Sequence, residues 1–342
     1  MEYVNGSKEA SNLIQTPVEV LFQTFNETTR LLVNELECTY LEALAETGEN
    51  IFQDDIRQEN ISEMTKKRLE KYYRDLVKMN YSAEDIRKAF QLACLKGMRE
   101  NVQPNHQMTP DSIGIFLSYL INKFIGTKKA FSLLDPAIGT GNLVTTIMNY
   151  LPHHAIDAYG VDVDDVLIRL AYVSANLQEH PLQLDCQDSL EPLFIDPVDV
   201  VVCDLPVGYY PNDIRAAEYE LKADSGHSYA HHLFIEKSCL NTVDGGYLFF
   251  IIPNGLFESP EAMKLHTYIK KHMHIQALLQ LPETMFKNKQ VAKSILVLQK
   301  HGEGVKPPKE VLLVNLPSLS NKLQMETIMA KIDIWFQENK VH

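Results

Sequence analysis

The stretch FSLLDPAIGTGN, from Phe131 to Asn142, constrains the fold more than any other part of the chain. An apolar run ends at Asp135, Gly139 and Gly141 flank a tight turn, and the following residues are typical of a helix. Glycine lets the backbone take positive φ and approach a ligand closely, while a helix behind it presents unpaired N–H groups. The third glycine of the dinucleotide-binding pattern is absent, since Val144 stands there. This stretch predicts either a site for a nucleotide-like cofactor or simply a tight connection between strand and helix.

With 342 residues, the chain is long enough for two domains. Residues 1–104 show apolar positions at helical spacing without a strand signal, and we expect a small α-helical domain there. A break at Gln103-Pro104-Asn105-His106 places the second domain at residues 105–342. No apolar run approaches the roughly 20 residues of a membrane span, and the acidic N-terminus is unlike a signal peptide. We therefore expect a cytoplasmic protein with no membrane attachment.

Charge and cysteine content restrict the classes of function. The formal charge of −13 disfavours a large nucleic-acid footprint, although a local basic face is compatible with it. The five cysteines include no C-x-x-C pair, so we expect reduced thiols and no metal site.

Beyond residue 129, strand-like and helix-like runs alternate, which predicts an α/β fold with a doubly wound, mostly parallel sheet. A helix is predicted to begin at Thr109-Pro110-Asp111, with Thr109 as its N-cap. Gly245 and Gly246 predict a turn, and residues 301–308 a hairpin loop. The alternating runs are 130–134, 143–151, 155–161, 165–177, 182–186, 198–203, 231–242, 247–252, 263–272, 275–280, 293–299, 310–315 and 322–339.

Carboxylates follow the predicted strands where a doubly wound sheet places its ligands, at the strands' carboxyl ends. They are Asp135, Asp162, Asp185, Asp188 and Asp204. Asp162 follows the glycine turn by about 20 residues, the spacing of an acid that binds ribose hydroxyls. Any one of them has an ordinary explanation as a strand end or helix cap. Together they favour a ligand that carries a ribose and an adenine, and they argue against one with several phosphates.

Seven segments occur in a specific order between about His106 and Lys300: QMTPDSIGIFLSYLI (107–121), DPAIGTGNL (135–143), YGVDVDD (159–165), QDSL (187–190), DLPVGYY (204–210), GGYLFFIIPNGLF (245–257) and KNKQVAKSILVLQK (287–300). In these segments the chain resembles class I S-adenosylmethionine-dependent methyltransferases. Within that class it is similar to adenine-N6 DNA methylases, especially modification subunits of type I restriction systems.

The resemblance implies S-adenosylmethionine as the cofactor and assigns roles to residues. Thr109 would cover the methionine end, and Asp135 with the turn backbone would hold the methionine amino and carboxylate groups. Asp162 would bind the ribose and Asp188 the adenine amine. A plain N-cap explains Thr109 equally well. The implied cofactor-binding residues are Thr109, Asp135, Pro136, Ala137, Gly139, Gly141, Asn142, Asp162, Asp188 and Asp204.

The catalytic motif of such enzymes is Asn or Asp, Pro, Pro, aromatic. A side-chain oxygen and a main-chain carbonyl accept from the target amine and aim it at the methyl group, while the aromatic ring stacks on the extruded base. Here Asp204 and the Leu205 carbonyl would be the acceptors. Leu205 replaces the first proline and Val207 the aromatic residue; Tyr209 or Tyr210 would either compensate or simply pack. The implied catalytic residues are Asp204, Leu205, Pro206 and Tyr209.

Nine lysines between Lys264 and Lys309 form the one locally basic region, which either follows a DNA backbone or is a solvated face. Little chain follows Gln299, so any sequence specificity would come from a partner or be weak. Our first hypothesis is adenine-N6 methylation of DNA. The alternatives are a catalytically inactive protein that binds the cofactor and, through its helical domain, a protein partner, or N-methylation of RNA or a protein amide.

Overall fold

A computed structural model describes residues 15–77, 80–100 and 108–339. These residues form two compact units, one ending at residue 100 and the other beginning at residue 108. The predicted domain boundary between residues 104 and 105 lies outside the described residues. Over the described ranges, no helix is both long and apolar enough to cross a membrane.

The N-terminal unit is helical, as predicted. Its helices begin at polar residues that cap them: Thr16 and Thr39 each form a capping box with a glutamate three residues later. The Ser82 hydroxyl accepts from the Asp85 N–H at 3.1 Å in the same manner. Phe25 and Phe90 meet edge to face inside the unit, with ring centroids 5.6 Å apart. The helices are α1 (Pro17–Leu36), α2 (Tyr40–Gln53), α3 (Glu63–Val77) and α4 (Ala83–Glu100).

The second unit alternates helices and strands as the sequence predicts. Its helices are α5 (Asp111–Ile125), α6 (Asn142–Tyr150), α7 (Asp165–Leu177), α8 (Asp213–Ala216), α9 (Ala230–Leu240), α10 (Ala262–His272) and α11 (Lys322–Asn339). Its strands are β1 (Ala130–Asp135), β2 (Ala155–Asp162), β3 (Leu182–Cys186), β4 (Val198–Asp204), β5 (Thr242–Pro253), β6 (Met273–Gln280), β7 (Lys293–Lys300) and β8 (Leu312–Asn315).

The eight strands form one sheet in the order β3-β2-β1-β4-β5-β7-β6-β8, and only β7 runs antiparallel to its neighbours. Successive residues of β4 alternate between two apolar clusters: Val200 and Val202 pack in the cluster that contains α5 and α6, Val201 and Cys203 in the one that contains α9 and α10. Because neighbouring residues of a strand point to opposite faces, helices cover the sheet on both sides. The predicted doubly wound sheet is confirmed.

The strand order reverses between β1 and β4, where ligands bind in such sheets. Asp135, at the end of β1, is in register with Gly160 of β2, and Asp204, at the end of β4, with Ile251 of β5. The carboxyl ends of the central strands therefore meet at one edge of the sheet.

The turn predicted at Gly245 and Gly246 is wrong. β5 begins at Thr242, and the two glycines lie inside the strand, opposite a register shift between Val198 and Val200 of β4. Gly245 has φ of +77°, which a bulge accommodates and which glycine takes without strain.

The hairpin predicted around residues 301–308 is also wrong. This segment leaves β7 and leads to β8, but β8 pairs in parallel with β6, with Leu313 opposite Leu278. A hairpin requires its two strands to pair with each other. Here β6 lies between β7 and β8 in the sheet, so the two strands that the segment connects are not neighbours.

Candidate cofactor and catalytic site

The two glycines of the turn differ in the space around them: Gly139 borders open space, whereas Gly141 is in close contact with a neighbouring helix. Gly139 has φ of +54°, and a Cβ added there would meet no atom within 4 Å. Gly141 has φ of +75°, and its Cβ would lie 3.1 Å from the Cβ of Ala171. Gly139 therefore leaves a space that a side chain would fill, whereas Gly141 lets α6 pack closely on α7.

Asp162 holds this turn in place. One carboxylate oxygen accepts from the Gly139 N–H at 2.8 Å and the other from the Asp164 N–H at 3.1 Å. Burial raises the pKa of Asp162. A carboxylate has about four acceptor positions, so Asp162 can still accept from a hydroxyl group of a ligand at the turn.

Asp135 lies almost completely inside the protein, with 2% of its surface exposed. It accepts from the Ala137 N–H at 3.0 Å. Burial, with smaller contributions from the charges of Asp162 and Asp204, raises the pKa of Asp135 to about 8. At neutral pH the protonated carboxyl group is the more stable form, until a cation binds beside it and balances the negative charge.

Both oxygens of the Asp204 carboxylate have partners. Oδ2 accepts from the Thr109 hydroxyl at 3.0 Å, and Oδ1 accepts from the Lys293 ammonium at 2.5 Å. The Lys293 and Asp204 side chains are each 20% exposed. The residue at the predicted catalytic position is therefore an ion-paired carboxylate, fixed from two other elements.

Sequence reasoning placed Lys293 only within a basic region and missed its contact with Asp204. The available signal was its position at the start of β7. Because β7 is antiparallel to β5, its first residue lies at the edge where β4 and β5 end.

Thr109 is not the N-cap of α5, contrary to prediction. Pro110 takes that position, since its carbonyl accepts from the Ile113 N–H at 3.0 Å. The Thr109 hydroxyl is used on Asp204, and its carbonyl accepts from the side-chain amide of Asn142 at 3.2 Å. Thr109 thus bridges the first residue of α6 and the end of β4.

The DLPVGYY segment divides into buried and exposed residues. Leu205 is 2% exposed, and its N–H donates to the Ile251 carbonyl at 3.2 Å. Val207 and Tyr209 are 58% and 62% exposed, and the Tyr209 ring stacks on Tyr229 at 5.1 Å. Pro206 between them is half-buried. Of the two alternatives for Tyr209, compensation for the missing aromatic residue or simple packing, the contact with Tyr229 matches simple packing.

Asp188 lies in the loop after β3 and has partners on both oxygens. The Leu190 N–H donates to Oδ1 at 2.9 Å, and the Tyr210 hydroxyl donates to Oδ2. The neighbouring Ser189 hydroxyl donates to the Pro136 carbonyl, which ties this loop to the glycine turn. Asp185, in contrast, is an exposed residue of β3.

The basic region does not form one free surface. Five of its nine lysines have acceptors within the chain, and they belong to different elements of the sheet and its helices. The pairs are Lys264 with Asp224, Lys271 with Glu220, Lys289 with Glu283, Lys293 with Asp204, and Lys300 with the Thr242 carbonyl.

Histidines in the described part of the chain are not arranged as metal ligands. His231 and His232 are buried, and burial lowers the pKa of each to about 4. Among the described residues, no group of three or more His, Cys, Asp or Glu side chains is placed to hold a metal ion.

Comparison with known proteins identifies the family of this chain. Residues 105–340 match the model of N-6 DNA methylases, and residues 19–98 that of the YtxK N-terminal helical domain. The chain belongs to the N-6 DNA methylase family. The uncharacterized protein YtxK of Bacillus subtilis (strain 168) is 52% identical over 324 residues, which are 94% of this chain and 98% of YtxK.

Solved structures confirm the class I methyltransferase fold. A putative class I S-adenosylmethionine-dependent methyltransferase from Listeria monocytogenes matches with a TM-score of 0.88 and 50% identity, over 94% of this chain and 99% of that one. A type I restriction-modification methyltransferase subunit from Streptococcus thermophilus matches with a TM-score of 0.64 and 15% identity, over 97% and 76%. Fold and family are those of proteins that use S-adenosylmethionine, as the sequence predicts.

Proposed function

We propose that this protein is an S-adenosylmethionine-dependent N-methyltransferase whose methyl acceptor is the N6 amine of adenine in DNA. The observation that carries the proposal is the Thr109 bridge. Thr109 bonds Asn142, the first residue after the glycine turn, and Asp204, the predicted acceptor, at 3.2 and 3.0 Å. A single residue thus connects the cofactor turn to the acceptor carboxylate, and methyl transfer requires the two to be close together.

The residues around the turn fit the cofactor, which supplies an electrophilic methyl group when bound. Gly139 leaves room for a ligand against its backbone, and Asp162 keeps free lone pairs at the same place. Asp135 becomes a suitable partner for an ammonium group once it loses its proton. Asp188 accepts from the adenine amine, and Pro136 and Ala137 shape the approach to the turn.

The substrate amine is held by Asp204 and the Leu205 carbonyl. Proline normally fixes the direction of this carbonyl through its ring. Here the buried Leu205 side chain and the hydrogen bond from the Leu205 N–H to the Ile251 carbonyl hold this residue in place by other means. Two acceptors on one amine raise electron density on its nitrogen and aim the lone pair.

DNA approaches along the Lys264 to Lys309 region, where exposed lysines such as Lys270 and Lys287 interact with phosphates. We further propose that the protein works in the cytoplasm and takes its sequence specificity from a partner bound to the helical unit. That unit has a cleft of about 450 Å³ lined by charges of both signs, including Asp54, Glu70 and Arg74.

A second candidate is a protein that binds the cofactor and a protein partner without catalysis. It is favoured by the partners on Asp204, because Lys293 and Thr109 compete with a substrate amine for its oxygens. Methylation of RNA or of a protein amide remains a third candidate, since any planar amine meets the same acceptors.

Calorimetry with S-adenosylhomocysteine tests the cofactor assignment. Wild-type protein binds, Asp162→Ala binds at least tenfold more weakly because its hydroxyl acceptors are gone, and Asp164→Ala is the control. Asp164 caps α7 by accepting from the Leu167 N–H at 3.0 Å, so its loss affects stability rather than binding. An absence of wild-type binding rejects the proposal.

Labelled S-adenosylmethionine with separate DNA, RNA and protein fractions identifies the acceptor. Label enters DNA with the wild type and not with Asp204→Ala. Label in RNA or protein alone supports the third candidate, and cofactor binding without transfer to any fraction supports the second.

A further inference from the structure

Tyr210 approaches the predicted adenine subsite from a different part of the chain. Its hydroxyl donates to Oδ2 of Asp188, while the Leu190 N–H donates to Oδ1 at 2.9 Å. Tyr210 is 6% exposed, and both burial and the Asp188 carboxylate raise its pKa, so the hydroxyl keeps its proton and remains a donor.

The backbone on either side of Tyr210 is also fixed. The Tyr210 N–H donates to the Ser228 carbonyl at 2.8 Å, and the Ala230 N–H donates to the Gly208 carbonyl at 2.9 Å. The ring packs in an apolar cluster with Leu190 and Leu233. Contacts other than the bond to Asp188 therefore hold the Tyr210 backbone and ring, so this hydrogen bond mainly orients the carboxylate and adds one further restraint on the tyrosine.

We propose that Tyr210 is a positioning residue that orients Asp188 toward the exocyclic amine of the cofactor's adenine. This inference rests on the proposed cofactor site. A carboxylate has about four acceptor positions. The bonds from Leu190 and Tyr210 use two of them, one on each oxygen, which fixes the plane of the group and directs the remaining lone pairs.

The same hydrogen bond couples the cofactor to the substrate side of the site. Tyr210 follows Asp204 and Leu205 in one short segment, so an adenine that fixes Asp188 also restrains the segment that carries the substrate acceptors. Cofactor binding therefore adds a restraint on residues 205–210 before the substrate amine arrives.

Calorimetric titration with S-adenosylhomocysteine tests the positioning role. Tyr210→Phe keeps the packed ring and removes the hydroxyl; it weakens binding about tenfold. Tyr219→Phe is the matched control, because the Tyr219 hydroxyl in the same cluster donates to the Leu190 carbonyl at 2.6 Å and not to Asp188. Its affinity stays within about twofold of wild type.

A second ligand separates positioning from a merely structural effect. S-inosylhomocysteine has a carbonyl in place of the adenine amine, so wild type and Tyr210→Phe bind it equally. A Tyr210→Phe affinity for S-adenosylhomocysteine equal to wild type overturns the inference alone, as does an equal loss for both ligands. Failure of the wild type to bind S-adenosylhomocysteine overturns the proposed function as well.

Hydrogen–deuterium exchange tests the coupling. S-adenosylhomocysteine at saturating concentration slows exchange of the amides of residue 205 and residues 207–210 in the wild type and in Tyr219→Phe, but several-fold less in Tyr210→Phe. Equal protection in all three proteins rejects the coupling.

Discussion

The ammonium of Lys293 lies 2.5 Å from Oδ1 of Asp204, and both side chains are only 20% exposed. The two residues are 89 positions apart and come from the ends of β7 and β4. Their pairing places a balancing positive charge beside the Asp204 carboxylate. It also sets a donor against the oxygen that the target amine would use.

A double-mutant cycle measures what this pair contributes to stability. Lys293→Met leaves Asp204 uncompensated, and we expect it to lower the free energy of unfolding by about 1–2 kcal/mol. Lys293→Met with Asp204→Asn is expected to lose less than the sum of the single variants, with a coupling of about 1–2 kcal/mol in urea denaturation.

The exposed pair of Lys289 and Glu283, with 82% and 50% of the side chains exposed, is the control. Its coupling is expected to stay below about 0.5 kcal/mol, because water screens it. Equal coupling in the two cycles would contradict a structural role for the Lys293–Asp204 pair.

Asp135 makes stability depend on pH. Burial raises its pKa to about 8, whereas an unfolded chain has an aspartate pKa near 4. Between these values the folded state keeps a proton that the unfolded state releases, so the contribution is fully present below about pH 4 and is lost as pH rises through about 8. Asp135→Asn removes this dependence, which at its steepest is about 1.4 kcal/mol per pH unit.

Urea denaturation of both proteins from pH 5 to pH 9 measures the difference. Asp185→Asn, which alters an exposed carboxylate of β3, is the control and should follow the wild-type profile. Parallel profiles for wild type and Asp135→Asn would mean that Asp135 is ionised throughout this range.

Replacing each glycine of the turn by alanine should affect a different property, ligand binding at Gly139 and stability at Gly141. Gly139→Ala adds a Cβ to open space, so the main stability cost is that of φ at +54°, about 1–2 kcal/mol. The same Cβ enters the proposed ligand space, and we expect binding of S-adenosylhomocysteine to fall at least tenfold.

Gly141→Ala has its effect inside the fold. Its Cβ would lie 3.1 Å from the Cβ of Ala171, which adds about 1–3 kcal/mol of overpacking to the backbone strain. Thermal denaturation should therefore show the larger loss of stability for Gly141→Ala, and calorimetry the larger loss of ligand affinity for Gly139→Ala. The same order in both measurements would place the ligand away from Gly139.

Restoring the family's catalytic motif has different consequences at its two altered positions. Leu205→Pro removes the buried side chain and the N–H that donates to the Ile251 carbonyl, so we expect a loss of about 2–4 kcal/mol in stability. Val207→Phe alters a side chain that is 58% exposed and should change stability by less than about 0.5 kcal/mol.

An aromatic ring at position 207 can stack on a base, and stacking contributes about 1–3 kcal/mol. We therefore expect Val207→Phe to bind a fluorescent single-stranded oligonucleotide about tenfold more tightly by anisotropy, with Val207→Leu as the apolar control. Equal affinities of the two variants would remove base stacking at this position from the proposal.

Local patterns determined much of this protein. The strand, turn and helix around Gly139 follow from an apolar run, two glycines and helical spacing, all within twelve residues of Phe131. The alternation of later elements fixed the parallel sheet, and the sheet in turn placed Asp135, Asp162 and Asp204 at one edge. These inferences succeed because periodicity and glycine conformation act over short distances along the chain.

Only the tertiary structure decided how those carboxylates are used. Thr109 and Lys293 reach Asp204 across 95 and 89 residues, and Tyr210 reaches Asp188 across 22. Such contacts depend on which strands become neighbours and on how side chains pack at the sheet edge, and no local pattern encodes either. Sequence alone therefore predicted which carboxylates gather at this edge of the sheet, while packing determined which of their oxygens already have hydrogen-bond partners.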